Sequence, residues 1–151
     1  MTIRTDDCRI VEVARRPIAM IREPVPMAQI PDAQRRLRAR LLAALPGLGA
    51  GPYGDTLTLW RMPVNGVLDM APGVLVAGPF SGRDGVEPAE LPAGRAAHVV
   101  LSGGYEGVPG TWGVLFDWCV AQKLALANLN WEIYHEEPGM PPRTEFYALL
   151  G

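Results

Sequence analysis

Glycine and proline punctuate this chain closely: 17 Gly and 15 Pro are spread over 151 residues. Glycine weakens helix and strand interiors, and proline removes a backbone donor and fixes φ. The sequence must therefore fold as many short elements joined by turns, which excludes long bundles and coiled coils. Its length suits one globular domain, able to bury about two-thirds of the surface that an unfolded chain exposes.

Fourteen Lys and Arg stand against sixteen Asp and Glu, for a formal charge of -2. No global field draws such a chain onto nucleic acid or an anionic membrane, so neither is an expected partner. No apolar run approaches the roughly 20 residues that span a bilayer, and the first nine residues carry charges where a signal peptide would be apolar. A cytoplasmic location is expected. Cys8 and Cys119 lack the number and spacing of a disulfide framework or a zinc site and read as small packing residues. No metal and no cofactor is expected.

Residues 10–13 and 17–22 read as a short extended opening and the start of the first strand pair. A helix follows over 32–45, with Asp32 as N-cap and with Ala33, Leu37, Leu41, Ala44 and Leu45 at helical spacing. Pro46 and Gly47 are expected to stop it. Strands are expected over 56–62 and, after a Pro72-Gly73 turn, over 74–79. Residues 83–92, with Asp84-Gly85 and Pro88, show no period and read as a surface connector. Beyond them come a strand over 95–101, a break at Gly103-Gly104, and a helix opened by Pro109. Trp112, Leu115, Phe116, Cys119 and Val120 share one face of that helix. Strands over 130–135 and 144–149 close the chain.

The halves can be laid on each other, residue 18 on residue 96 and Pro31 on Pro109. The expected fold is α+β: two strand-helix-strand-strand units about a pseudo-twofold axis, with an antiparallel sheet, two main helices and a central ligand cleft. One domain over 1–151 would comprise repeat one at about 8–80, a connector at 81–93 and repeat two at 94–150. Such a unit cannot cover its own sheet, so two copies are expected to pack and leave a concavity suited to a ligand.

The last two strands carry the chemistry. Alternation places Glu132 with Tyr134 on one face and Trp131 with Ile133 on the other, and it places Glu145 with Tyr147 opposite Thr144 and Phe146. Each strand thus carries Glu-x-Tyr. If the hairpin register aligns them, one face presents two carboxylates and two phenols, while Trp131, Ile133 and Phe146 pack beneath the helices. Like charges that close would leave one of Glu132 and Glu145 with a raised pKa. By pattern alone, a strand glutamate is more often a solvated side chain.

The second half, from Gly94-Arg95-Ala96 through Gly103-Gly104-Tyr105-Glu106, Trp118, Trp131-Glu132-Ile133-Tyr134 and Thr144-Glu145-Phe146-Tyr147-Ala148-Leu149, resembles the GyrI-like small-molecule-binding domain. That family is also known as the AraC-type effector-binding domain, of the SOUL-like superfamily. The first half fits through residues 17–22, the Asp32 helix and residues 67–76, so the resemblance covers nearly the whole chain. It implies a hydrophobic cleft between repeats with a buried glutamate at its floor, where lipophilic, often cationic and aromatic compounds bind. Glu132 matches the ligand-facing glutamate, and Glu145 with Tyr147 the supporting acid and aromatic. Tyr134 lies beside Glu132, and Trp118 matches a buried helix tryptophan. A carboxylate in an apolar pocket is costly to desolvate, and a delocalised cation with an apolar body restores the lost stabilisation.

The chain departs from the family at 101–103, where Leu101, Ser102 and Gly103 stand in place of a His common in other members. His98 reads as a structural or surface residue, and His135 should face away from the cleft. Trp60 and Met62 are candidates for the opposite wall, and Tyr53, Tyr105 and Trp112 for the lip or wall. Arg35, Arg36, Arg38 and Arg40 read as a solvated helix surface. No helix-turn-helix is expected ahead of a fold that begins within the first ~20 residues, so the domain is expected to be free-standing.

Three functions stay open. The first is a module that binds lipophilic small molecules for sensing, sequestration or detoxification. The second, implied by the resemblance, is a hydrolase that opens strained cyclopropane rings with Glu132 and Tyr147. The third is a gyrase-inhibitor-like interaction module. The expected partner is a lipophilic small molecule, and a homodimer stays open.

Overall fold

A computed structural model describes residues 7–151. In chain order the elements are β1 (Arg9–Val13), β2 (Arg16–Ile21), β3 (Glu23–Pro26), α1 (Ile30–Leu48), β4 (Thr56–Val64), β5 (Val67–Leu75), β6 (Val86–Leu91), β7 (Gly94–Ser102), α2 (Val108–Ala121), β8 (Leu126–His135) and β9 (Arg143–Leu150). The fold is α+β, with two helices and antiparallel strand pairing.

The chain divides into two compact units. Residues 14–92 form one, in which strands run in the order β4-β5-β2-β6 and β3 also pairs with β5. Residues 7–13 together with 93–151 form the other, with strand order β1-β7-β9-β8. Each unit carries the same strand-helix-strand-strand core, β2-α1-β4-β5 in one and β7-α2-β8-β9 in the other. Each also gains an outer strand, β6 on β2 and β1 on β7. Thus β1 and β2 do not form the strand pair expected at the start of the chain. The strand preceding each repeat is spent on the other repeat's sheet.

The first unit is built on α1. Pro31 sits in its first turn, where a missing N–H costs nothing, and Gln29 rather than Asp32 is the N-cap. Asp32 lies within the first turn and pairs with Arg35. The helix runs through Pro46 and Gly47 to Leu48, three residues past the expected stop, and ends at Gly49 in the left-handed conformation. Near a C-terminus a proline forfeits only one intrahelical bond. Two last-turn carbonyls find other donors, Leu45 the hydroxyl of Tyr53 at 2.5 Å and Gly47 the guanidinium of Arg83 at 3.0 Å. Ala33, Leu37, Leu41, Ala44 and Leu48 are buried against Ala19, Val25, Met70 and Val74. Arg36 and Arg40 bond Glu23 and the Asp84 carbonyl, and Arg38 reaches Gln34 and Thr58.

Two further expectations fail at prolines. Pro72-Gly73 is no turn: both lie inside β5, and the hairpin turn is at Asn65-Gly66, both with positive φ. Pro72 fits because it falls between the stretch of β5 that pairs with β2, ending at Gly73, and the stretch that pairs with β3, starting at Met70. Residues 86–91 are not a connector but the strand β6, with Val86 and Leu91 buried. Pro88 hid the pattern, and an edge strand tolerates it.

In the second unit α2 opens with Pro109 and buries Thr111, Trp112, Leu115 and Cys119. Val120, expected on that face, is 76% exposed, and Trp118 is half-buried. Cys8 and Cys119 are both free and buried, and burial pushes the Cys119 thiol pKa up. Among the described residues no helix is long and apolar enough to cross a membrane.

At Gly73 an added Cβ would stand 2.8 Å from the Ala19 carbonyl oxygen, whereas at Gly113 in α2 it would meet nothing within 4 Å. Gly73→Ala should therefore cost about 1–3 kcal/mol of unfolding free energy, and Gly113→Ala should add about 0.5–1 kcal/mol. Urea denaturation checks both, and equal effects would contradict the close approach of β2 and β5.

Candidate functional site

β8 and β9 pair so that Trp131 faces Tyr147, Glu132 faces Phe146, Ile133 faces Glu145 and Tyr134 faces Thr144. Residues directly opposite in an antiparallel pair project from the same side of the sheet. Glu132 and Tyr134 therefore share a face with Phe146 and Thr144, while Glu145 and Tyr147 share the other with Trp131 and Ile133. The expected face with two carboxylates and two phenols does not form. The two Glu-x-Tyr patterns are one residue out of step, and a one-residue slip moves every side chain to the other side. Phe146 consequently sits with Glu132, and it is this face that meets α2.

Glu132 is only 8% exposed. Trp112 of α2 donates its indole N–H to Oε2 at 2.6 Å, and Tyr134 donates its hydroxyl to Oε1 at 2.6 Å. The Trp112 ring stacks on Phe116 and stands edge-on to Phe146, with centroids 5.2 and 5.1 Å apart. Tyr105, just ahead of α2, meets Tyr134 edge-on at 5.7 Å and donates its hydroxyl to Glu136. An indole N–H can only donate, so Oε2 must accept. Hydrogen bonds to a charged group contribute about 1.5–3 kcal/mol each, against a desolvation penalty of several kcal/mol for a buried carboxylate. Two donors offset much of that penalty. An approaching positive charge would be stabilised further.

The opposite face holds a different cluster. His98 of β7 and His135 of β8 direct their Nε2 atoms to Glu145, at 3.1 Å on Oε1 and 2.7 Å on Oε2. Tyr147 donates its hydroxyl to Oε1 at 3.1 Å, lies 4.8 Å from the His98 ring and stacks on Trp131 at 5.3 Å. These donors, His98 first, hold the Glu145 pKa down at about 2, against the opposing effect of burial. Glu132 lies on the other face of the sheet, so the two acids do not share the one face on which their coupling was expected. His98 is buried, so it is structural rather than a surface residue, and His135 does face away from Glu132. Sequence reading missed this cluster. Both histidines of the chain fall on strands that flank β9, a signal that becomes readable once the order β7-β9-β8 is known. Among the described residues no group of three or more His, Cys, Asp or Glu side chains is arranged to hold a metal ion.

In the other unit, Tyr53 caps α1 and packs with Trp60 against its apolar core, and Met62 is exposed. Of the expected site residues, the structure gathers Glu132, Tyr134, Trp112 and Tyr105 into one contact group. Glu145 and Tyr147 form a second, on the other face.

A model of the GyrI-like small molecule binding domain matches residues 6–148. The chain belongs to this family. The GyrI-like fold is also shared with solved structures of low sequence identity. The EcmrR C-terminal domain superposes with a TM-score of 0.74 at 18% identity, over 95% of this chain and 96% of that one. The structure of SAV2435 bound to tetraphenylphosphonium gives 0.69 at 13% identity, over 95% and 93%. A hydrolase from Listeria innocua gives 0.57 at 11% identity, over 99% and 94%. Comparison with proteins of curated function finds no match.

The lowered pKa of Glu145 fixes the sign of one pH effect in this GyrI-like domain. A depressed carboxyl contributes stability that is fully present above its ordinary value of 4.5 and is lost as pH falls toward about 2. The excess stability of the wild type over Glu145→Gln should hold steady above about pH 5 and shrink, by on the order of 3 kcal/mol, on going down to pH 2. Urea melts across that window check it, and a constant difference would contradict the His98 and His135 contacts.

Proposed function

We propose that this GyrI-like domain binds lipophilic aromatic cations, with Glu132 as the counter-charge and Trp112, Tyr134 and Tyr105 as aromatic contacts. One observation carries the reading: a carboxylate 8% exposed, with each oxygen bonded to an aromatic donor. A strand glutamate kept only for solubility would face water. A buried one costs stability, and the partner that best recovers the cost is a cation too lipophilic to be strongly hydrated. Aromatic faces add attraction of about 0.5–2 kcal/mol to such a charge. The tetraphenylphosphonium complex of SAV2435, which shares the fold, supports this ligand class. Sensing, sequestration and detoxification all require no more than this binding step, and a cytoplasmic location suits each.

Glu132→Gln keeps the shape and removes the charge. It should weaken tetraphenylphosphonium by about tenfold or more while leaving triphenylphosphine oxide, neutral and of similar apolar body, within about twofold. Titration calorimetry on both variants measures this. Equal losses for the two ligands would contradict the role of the charge.

A second reading, hydrolysis of cyclopropane-bearing electrophiles, is favoured by the 2.6 Å contact of Tyr134 with Glu132 and by the fold shared with a hydrolase. With Tyr147 on the other face, Tyr134 replaces it as the phenol beside the general base. Release of a ring-opened water adduct by wild type and not by Glu132→Gln would establish this reading. Binding without product leaves the receptor reading in place.

A further inference from the structure

We infer that Asn130 and Thr144 make this site select elongated cations that carry hydrogen-bonding groups to the side of the charge, over purely hydrocarbon cations of the same size. The inference rests on the reading that a cation meets Glu132. Asn130, Glu132 and Tyr134 alternate along β8 and so share a face, and Thr144 joins them because it lies directly opposite Tyr134. The face therefore carries an amide, a carboxylate, a phenol and a hydroxyl.

The two outer groups differ from the two inner ones. Asn130 is 2% exposed and Thr144 0% exposed, yet among the described residues Asn130 Nδ2 and Thr144 Oγ1 have no hydrogen-bond partner. Buried polar groups are paired in the great majority of cases, because an unpaired one loses its bonds to water and gains nothing. Here two such groups flank a buried carboxylate whose own oxygens are both bonded. Valine in place of Thr144, or leucine in place of Asn130, would fill nearly the same space without that cost. The backbone also departs from regularity beside Asn130: the pairing of β8 with β9 shifts between Leu126 and Asn130, and Asn128 has a φ of 56°. Bulges of this kind re-aim side chains next to functional sites.

The chemistry of the groups names the ligand class. Asn130 Nδ2 donates and so takes a carbonyl, ether or hydroxyl oxygen, while Thr144 both donates and accepts. Two residues along a strand span roughly 7 Å, and a diagonal cross-strand neighbour lies about as far, so a ligand whose charge sits at Glu132 would meet these groups with an atom roughly 7 Å from its charged centre. A site with buried groups that wait for a partner discriminates strongly against analogues that cannot supply one.

The probes are (3-carbamoylpropyl)triphenylphosphonium and pentyltriphenylphosphonium, equal in charge and chain length and differing in the terminal amide. Titration calorimetry should show wild type preferring the amide by about tenfold. Asn130→Leu and Thr144→Val should each reduce that preference while leaving the pentyl compound bound at least as tightly. Thr144→Ser, which keeps the hydroxyl, should retain it. If wild type binds both compounds equally and both depend on Glu132, the inference is overturned and the reading of Glu132 survives. If neither depends on Glu132, that reading fails instead. A preference that persists unchanged in Asn130→Leu and Thr144→Val also overturns the inference, since other groups would then supply it.

Discussion

The register of one hairpin governs the chemistry of this domain. By setting Glu132 opposite Phe146 and Ile133 opposite Glu145, the pairing of β8 with β9 sends two acids of near-identical local sequence to opposite sides of a sheet. Everything each acid touches follows from that choice. Glu132 meets α2 and its tryptophan, and Glu145 meets the histidines of the two strands that enclose β9. Sliding the hairpin by one residue would exchange their surroundings and bury the wrong aromatic residues on each side.

The two environments satisfy a carboxylate in different ways. Glu145 is surrounded by donors that can carry charge, and its pKa is held far below the ordinary range as a result. It is a settled group, tying β7, β8 and β9 together across the sheet. Glu132 has two neutral donors, an indole and a phenol, in an aromatic setting. Neutral donors stabilise a buried carboxylate less than charged ones do, which is why Glu132 rather than Glu145 is proposed as the counter-charge for a cationic ligand.

How much of this was legible in the sequence depended on the kind of signal. The strand-helix-strand-strand repeat, the buried face of α1 at Ala33, Leu37 and Leu41, and the Glu-x-Tyr strands are local periodicities, and local periodicity can be read directly. Alternation also separated Glu132 from Trp131 correctly. Register was not legible, because it is a relation between two strands and depends on the turn and on the irregularity near Asn130. The same holds for β1 and β6, whose partners are distant in sequence, and for Pro72, which fits in β5 only through a gap in its neighbours' pairing. The histidine cluster on Glu145 was hidden for that reason too: His98 and His135 lie far apart in the chain and meet only through β9.

Membership of the GyrI-like family makes this a small-molecule binding domain, and the proposed charge-reading role of Glu132 falls on the α2-covered face of the second unit. The most direct test is a crystal structure with tetraphenylarsonium, located by the anomalous scattering of its arsenic. Arsenic is expected beside the Glu132 carboxylate, among Trp112, Tyr134 and Tyr105. Arsenic on the opposite face, beside Glu145 and Trp131, would contradict it.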